Sequence, residues 1–201
     1  MKVIKYPAKE EWSEIVKRPH LDVSKLNATV QGVLDDVKKH GDEAVKRYEE
    51  MFDHAHLDSL AVTEAEIEEA EQLVSQELKD ALHLAHHNIA AFHQSQKFAG
   101  EKVETCPGVT CWQKSVAIQK VGLYIPGGTA PLFSTVLMLA TPAKIAGCEE
   151  IVLCTPPNQE GKVNPAILMA AKIAGVSKIF KAGGVQAIGA MAYGTESVPK
   201  V

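Results

Sequence analysis

VGLYIPGGTAPLFSTVLMLATPAKIAGCEEIVLCTPP, residues 121–157, opens and closes on short apolar runs rich in β-branched residues, with a longer helical stretch between them. A buried run, a turn of glycine and proline, a helix and a second buried run make the pattern of a parallel βαβ crossover. VGLYI (121–125) reads as the first strand, EIVLC (150–154) as the second and SKIFK (177–181) as the third. Onsets at 121, 150 and 177 are 29 and 27 residues apart, which is a repeated βα unit rather than a solenoid. Asn164-Pro165 supplies an N-cap and first-turn pair for the helix between the second and third strands, and Gly175 marks its end. Pro142 is expected to kink or restart the helix before the second strand. The sequence reaches Val201 inside what reads as a fourth strand.

Upstream the period changes from two to 3.6. Leu26, Val30, Val33, Leu34 and Val37 recur at helical spacing and Gly41 follows as a stop; Ala44, Val45, Tyr48, Met51 and Phe52 repeat the pattern. Thr63-Glu64-Ala65-Glu66 is a capping box opening a stripe through Ile67, Ala70, Leu73 and Val74, and a longer helix carries Leu78 to Phe92. Between Glu101 and Gln119 the residues alternate around Pro107-Gly108, as in a hairpin with Val109 and Cys111 on one face. The expected class is therefore α/β: a helical region over 1–100, a hairpin linker over 101–120, and a Rossmann-like parallel βαβαβα half-sheet over 121–201 that breaks off at a fourth strand.

Composition narrows the function. In 201 residues, 21 basic against 25 acidic side chains give a formal charge of -4, with no basic block able to track phosphates, so nucleic acid is not the expected partner. Apolar runs such as Val136 to Ala140 fall far short of the roughly 20 residues of a membrane span. The start, MKVIKYPAKEEW, has no signal-peptide core, and the four cysteines (106, 111, 148, 154) lack metal or disulfide-scaffold spacing. A reduced cytoplasm and structural cysteines are the expectation.

In an open parallel sheet the ligand sits beyond the carboxyl ends of the strands. Those ends are YIPGGTAP (124–131), TPP (155–157) and AGGVQ (182–186). Paired glycines in two of them let backbone approach a bulky anionic ligand, as a dinucleotide crevice requires. The same residues also suit tight turns with no ligand, since neither G-x-G-x-x-G nor a Walker A sequence occurs. His83, His86 and His87 share a helix face, yet no acid or cysteine completes a metalloenzyme set, and an exposed or interface-facing helix accounts for them better. His54 and His56 read as a solvated turn, and Glu64, Glu66, Glu68, Glu69 and Glu71 as a solvated acidic helix start. After Gly100 there is no histidine, and no acid falls on a strand-end loop where it could serve as a general base.

VGLYIPGGTAPLFSTVLMLATPAKIAGCEEIVLCTPP and KAGGVQAIGAMAYGTESVPKV (181–201), with HGDEAVKRYEEMFD (40–53) and NIAAFHQSQ (88–96) in the same order, closely resemble the amino-terminal half of the histidinol dehydrogenases. The resemblance implies a zinc-dependent enzyme that oxidises L-histidinol to L-histidine through the aldehyde, with two hydride transfers to NAD, at the end of histidine biosynthesis. It also implies an intertwined homodimer with Rossmann-like domains. It assigns NAD contacts to Tyr124 and Pro126 in the first loop, Pro156 in the second and Gln186 in the third. Val185 and Gly189 stand where the family commonly has alanine. A further NAD-contacting asparagine, the zinc ligands, the substrate-binding residues and the Glu-His acid/base pair are expected beyond Val201, so this chain alone is expected to be inactive. The alternatives from other classes are a stand-alone nucleotide- or phosphate-binding module and a dimerisation piece without catalysis.

Overall fold

A computed structural model describes residues 3–19, 23–128 and 130–201; Thr129, in the first strand-end loop, lies outside the described residues. A single-turn helix α1 (Trp12–Ile15) precedes the long α2 (Ser24–Tyr48). Gly41 interrupts α2 at φ 53° and ψ -132°, as a stop signal predicts, but helix resumes at once. The restart is capped from a distant part of the chain: the Asp42 N–H donates to Glu196 Oε2 at 2.8 Å. A Cβ on residue 41 would collide with that same carboxylate, so glycine serves both the turn and the approach.

The helical stripe expected through Met51 and Phe52 does not hold. Glu49–Asp53 form a π-helical turn, and the wider turn rotates the faces: Ala44 and Val45 are buried as read, but Met51 and Phe52 are exposed and Glu49 is fully buried.

Helix α3 (Glu64–Leu73) starts on the capping box as written, with Thr63 Oγ1 accepting from the Glu66 N–H and Glu66 Oε2 accepting from the Thr63 N–H. Its acidic start is not merely solvated. Glu66, Glu69 and Glu71 pair with Lys181, Lys162 and Lys172 at 2.5, 2.9 and 2.6 Å, pinning α3 across the following elements. Helix α4 (Gln76–Ser95) begins at Ser75, whose hydroxyl accepts from the Leu78 N–H. Strands β1 (Lys102–Cys106) and β2 (Val109–Trp112) pair antiparallel around Pro107-Gly108, and every residue in them is exposed.

The sheet that positions the site contains β3 (Lys120–Tyr124), followed by α5 (Phe133–Ala146); β4 (Glu150–Thr155), followed by α6 (Pro165–Ala174); and β5 (Lys178–Lys181), followed by α7 (Gly184–Tyr193). The strands are parallel in the order β3-β4-β5, with Leu123 opposite Leu153 and Cys154 opposite Phe180. Asn164 caps α6 by accepting from the Ala166 N–H, and Gly175 ends it in the left-handed region. Alternate residues of the sheet feed two cores. Leu153 and Ile179 pack with α5, α6 and, outside them, α3 and α4. Val152, Cys154 and Phe180 pack with α7 and α2 on the opposite face. Residues 60–62 cover the outer edge of β5, Val62 N–H donating to Ile179 and Lys181 N–H to Leu60.

Helix α5 runs through Pro142 without restarting, and the carbonyl that proline leaves without its helical donor belongs to Met138, an exposed residue. No fourth strand joins the parallel sheet among the described residues, contrary to the expectation for the stretch ending at Val201. Instead the stretch after α7 turns back on itself, Val201 donating its N–H to the Met191 carbonyl and lying against Gly122 of β3.

Candidate functional site

The carboxyl ends of β3, β4 and β5 open into one cavity of about 790 Å³, within the range of small-molecule and cofactor sites. Helices α5 and α6 cover one face of the sheet and α7 the other, so the cavity lies beyond the carboxyl ends of the strands with helices leaving to both faces, the side such sheets use for ligands. Tyr124, Pro126, Pro156, Gly128, Gly184 and Asp53 all line it.

Close approach of three loops makes the cavity wall. Pro156 is wedged between two glycines: a Cβ on Gly127 would lie 2.6 Å from Pro156 Cγ, and one on Gly183 would lie 2.9 Å from Pro156 Cβ. Neither glycine can be replaced without displacing that ring. A Cβ on Gly128 would meet nothing within 4 Å, so this backbone faces open space. Tyr124 is half-buried, and its hydroxyl accepts from the Gly184 N–H at 3.0 Å, bridging β3 to the start of α7. Burial pushes its phenol up from the usual tyrosine value.

Of the four residues singled out by sequence, Tyr124, Pro126 and Pro156 share this wall. Gln186 stands behind it. Its side chain is 1% exposed, its Nε2 donates to Glu49 Oε1 at 2.9 Å, and its amide oxygen would lie 2.8 Å from a Cβ on the cavity-lining Gly184. The same Glu49 oxygen accepts from the Gly183 N–H at 2.8 Å, while Glu49 Oε2 is buried without a donor. Burial pushes the Glu49 carboxyl up to about 7, opposed by the Gly183 and Gln186 donors and reinforced by the charge of Asp53. Asp53 is raised as well, also by burial.

Asp53, on the cavity wall, and Glu49, behind it, are candidate site residues that the sequence reading passed over. Only their four-residue spacing at the end of a helix was there to be noticed; their burial comes from the π-helical turn and from a loop 134 residues away.

The other candidates lie elsewhere. His83 and His87 are exposed on α4 and His86 is partly buried, its imidazole lowered by burial and by its two histidine neighbours. Among the described residues no three His, Cys, Asp or Glu side chains come together as a metal-holding group. Cys154 is buried in the core between the sheet and α7, its thiol pushed up to about 12 by burial and by Glu49, which keeps it protonated.

Comparison with known proteins gives a consistent result. A family model described as histidinol dehydrogenase matches residues 16–201. Histidinol dehydrogenase of Bacteroides fragilis is 68% identical over 201 residues, all of this chain and 47% of that protein. That of Escherichia coli strain K12 is 49% identical over 193 residues, 96% of this chain and 44% of that protein. The crystal structure of histidinol dehydrogenase from Elizabethkingia anophelis superposes with a TM-score of 0.93 at 47% identity, over 97% of this chain and 45% of that one. The chain thus spans about half the length of the curated relatives it matches.

Proposed function

The chain belongs to the histidinol dehydrogenase family, and from that premise we propose that it provides the dinucleotide crevice for the NAD-dependent oxidation of L-histidinol to L-histidine through the aldehyde. The observation that carries the reading is one cavity shared by the strand ends, walled by Tyr124, Pro126 and Pro156 and bounded by Gly184 at the start of α7. When bound, NAD supplies the hydride acceptor. The chain's own groups do the holding. The Tyr124 ring and the two prolines give flat apolar walls for a planar ring, while the open Gly128 backbone and the first turn of α7 suit an anionic pyrophosphate. Gln186 acts from behind, fixing the α7 start through Glu49.

Zinc belongs to the proposal as the family's metal. The side chains described here do not form a donor set for it, so no step in this reading passes through zinc. The working state of the whole enzyme is proposed as a cytoplasmic homodimer.

Calorimetric titration of NAD into the intact protein tests the crevice. Tyr124→Ala removes an aromatic wall and Gln186→Ala a hydrogen bond; each is expected to cost roughly 0.5–1.5 kcal/mol, up to about tenfold in affinity. His86→Ala and His87→Ala, far out on α4, are expected to leave NAD binding unchanged. Unaltered affinity in both cavity variants would overturn the assignment.

A further inference from the structure

Glu49 makes an arrangement that holding a helix end does not require. One oxygen gathers two donors from the start of α7, Gly183 N–H and Gln186 Nε2, and the other is buried with no donor. The neighbouring acid is Asp53, four residues on in the same π-helical turn; it lines the cavity, and its Oδ2 would lie 3.1 Å from a Cβ on Gly183, the residue whose N–H Glu49 accepts. Two carboxyl groups can bond to each other only through a proton. The orphaned oxygen and the adjacent acid therefore account for each other if the pair holds one proton and one negative charge.

We propose that Glu49 is a positioning residue for the crevice: sharing one proton with Asp53, it holds the first turn of α7 and the Gln186 amide behind the cavity and keeps a second negative charge away from the α7 start. The proposal rests on the reading of this cavity as the NAD crevice. The groups facing Glu49 from the packed elements are Tyr124 of β3, Cys154 of β4, the Gly183 and Gln186 donors of α7, and Asp53 with His54 beside it. None of these is a lysine or arginine that could neutralise a second carboxylate. Burial holds Glu49 near neutral titration. Above that point the pair carries two charges at a helix start whose polarity otherwise favours an anionic ligand. NAD affinity should therefore fall as pH rises.

Glutamine is the isostere of the protonated acid: in Glu49→Gln the oxygen still accepts from α7 and the amide still donates to Asp53. The test follows the intact protein from pH 5.5 to 8.5 in two ways. Infrared difference spectra of the protein without NAD should show a protonated carboxyl C=O stretch at pH 6 that is missing in Glu49→Gln. NAD titrations should show the dissociation constant of the unsubstituted protein rising roughly two- to fivefold between pH 6 and pH 8. Glu49→Gln should stay flat near the low-pH value, and Glu49→Ala should bind weakly at every pH. Absence of the carboxyl band overturns the shared proton whatever NAD does. A band with a pH profile that Glu49→Gln leaves unmoved overturns the positioning role. A band in a protein that does not bind NAD at all counts against the crevice reading and this proposal together.

Discussion

At the residue scale, the buried acid has a consequence for folding as well as for binding. Glu49 titrates near 7 in the folded protein against about 4.5 when unrestrained. For a group with a raised folded pKa, the stabilising contribution is complete below the unfolded value and is lost as pH climbs through the folded one. The window is thus about pH 4.5 to 7, and the shift corresponds to roughly 3 kcal/mol lost by pH 8. Glu49→Gln has no proton to lose. Urea unfolding of the two proteins should therefore diverge in its favour between pH 5 and pH 8; parallel stability curves would show that the Glu49 carboxyl ionises as freely in the folded state as in the unfolded one.

At the scale of single elements, α3 shows how a cap and an ion pair cooperate. Thr63→Ala removes the hydroxyl that accepts from the Glu66 N–H and should cost about 1 kcal/mol. Glu66→Ala should cost more, because the same carboxylate accepts from Thr63 and pairs with the mostly buried Lys181. Denaturant midpoints in that order are the check, and equal losses would mean the Lys181 pair contributes nothing. The capping box, Asn164-Pro165, Gly175 and the three strands were legible in the sequence because each is decided by residues within a turn or two of itself. The strand-end loops were legible for the same reason, since a parallel sheet gathers its carboxyl ends whatever the side chains are. The Glu49 turn was not legible: a stripe through Met51 and Phe52 is good helical logic, and only packing against α7, from residues well over a hundred positions away, rotates an acid inward in their place. At Pro142 the helix continues where spacing allowed a restart, because a proline removes one helical hydrogen bond while the turns before it stay packed through Val136, Leu137 and Ala140.

At the scale of the whole molecule the surface is large. A compact chain of 21.7 kDa exposes roughly 9,200 Å², whereas this one exposes 13391 Å². The excess includes apolar side chains on α4 (Leu84, Phe92) and along the hairpin and its exit (Trp112, Val116, Ile118). Exposed apolar surface on this scale is normally covered. The 201-residue chain prepared by itself is expected to self-associate or to bind a hydrophobic dye. Sedimentation as a compact monomer with no dye binding would contradict that expectation.

The break at Gly41 ties the two ends of the described chain into one event. Helix from Asp42 onward leads directly into the turn that buries Glu49, yet its first N–H is satisfied by Glu196, and the Asp42 carboxylate in turn accepts from Thr195 and Ser197. These partners are about 154 residues downstream. During synthesis, at about 5–20 residues per second, the Asp42 helix start and the acid behind the crevice must wait roughly ten to thirty seconds for the loop that completes them. The earliest-made part of the cavity wall is thus among the last to become ordered, which places the burden of a long-range closure on the folding of this region.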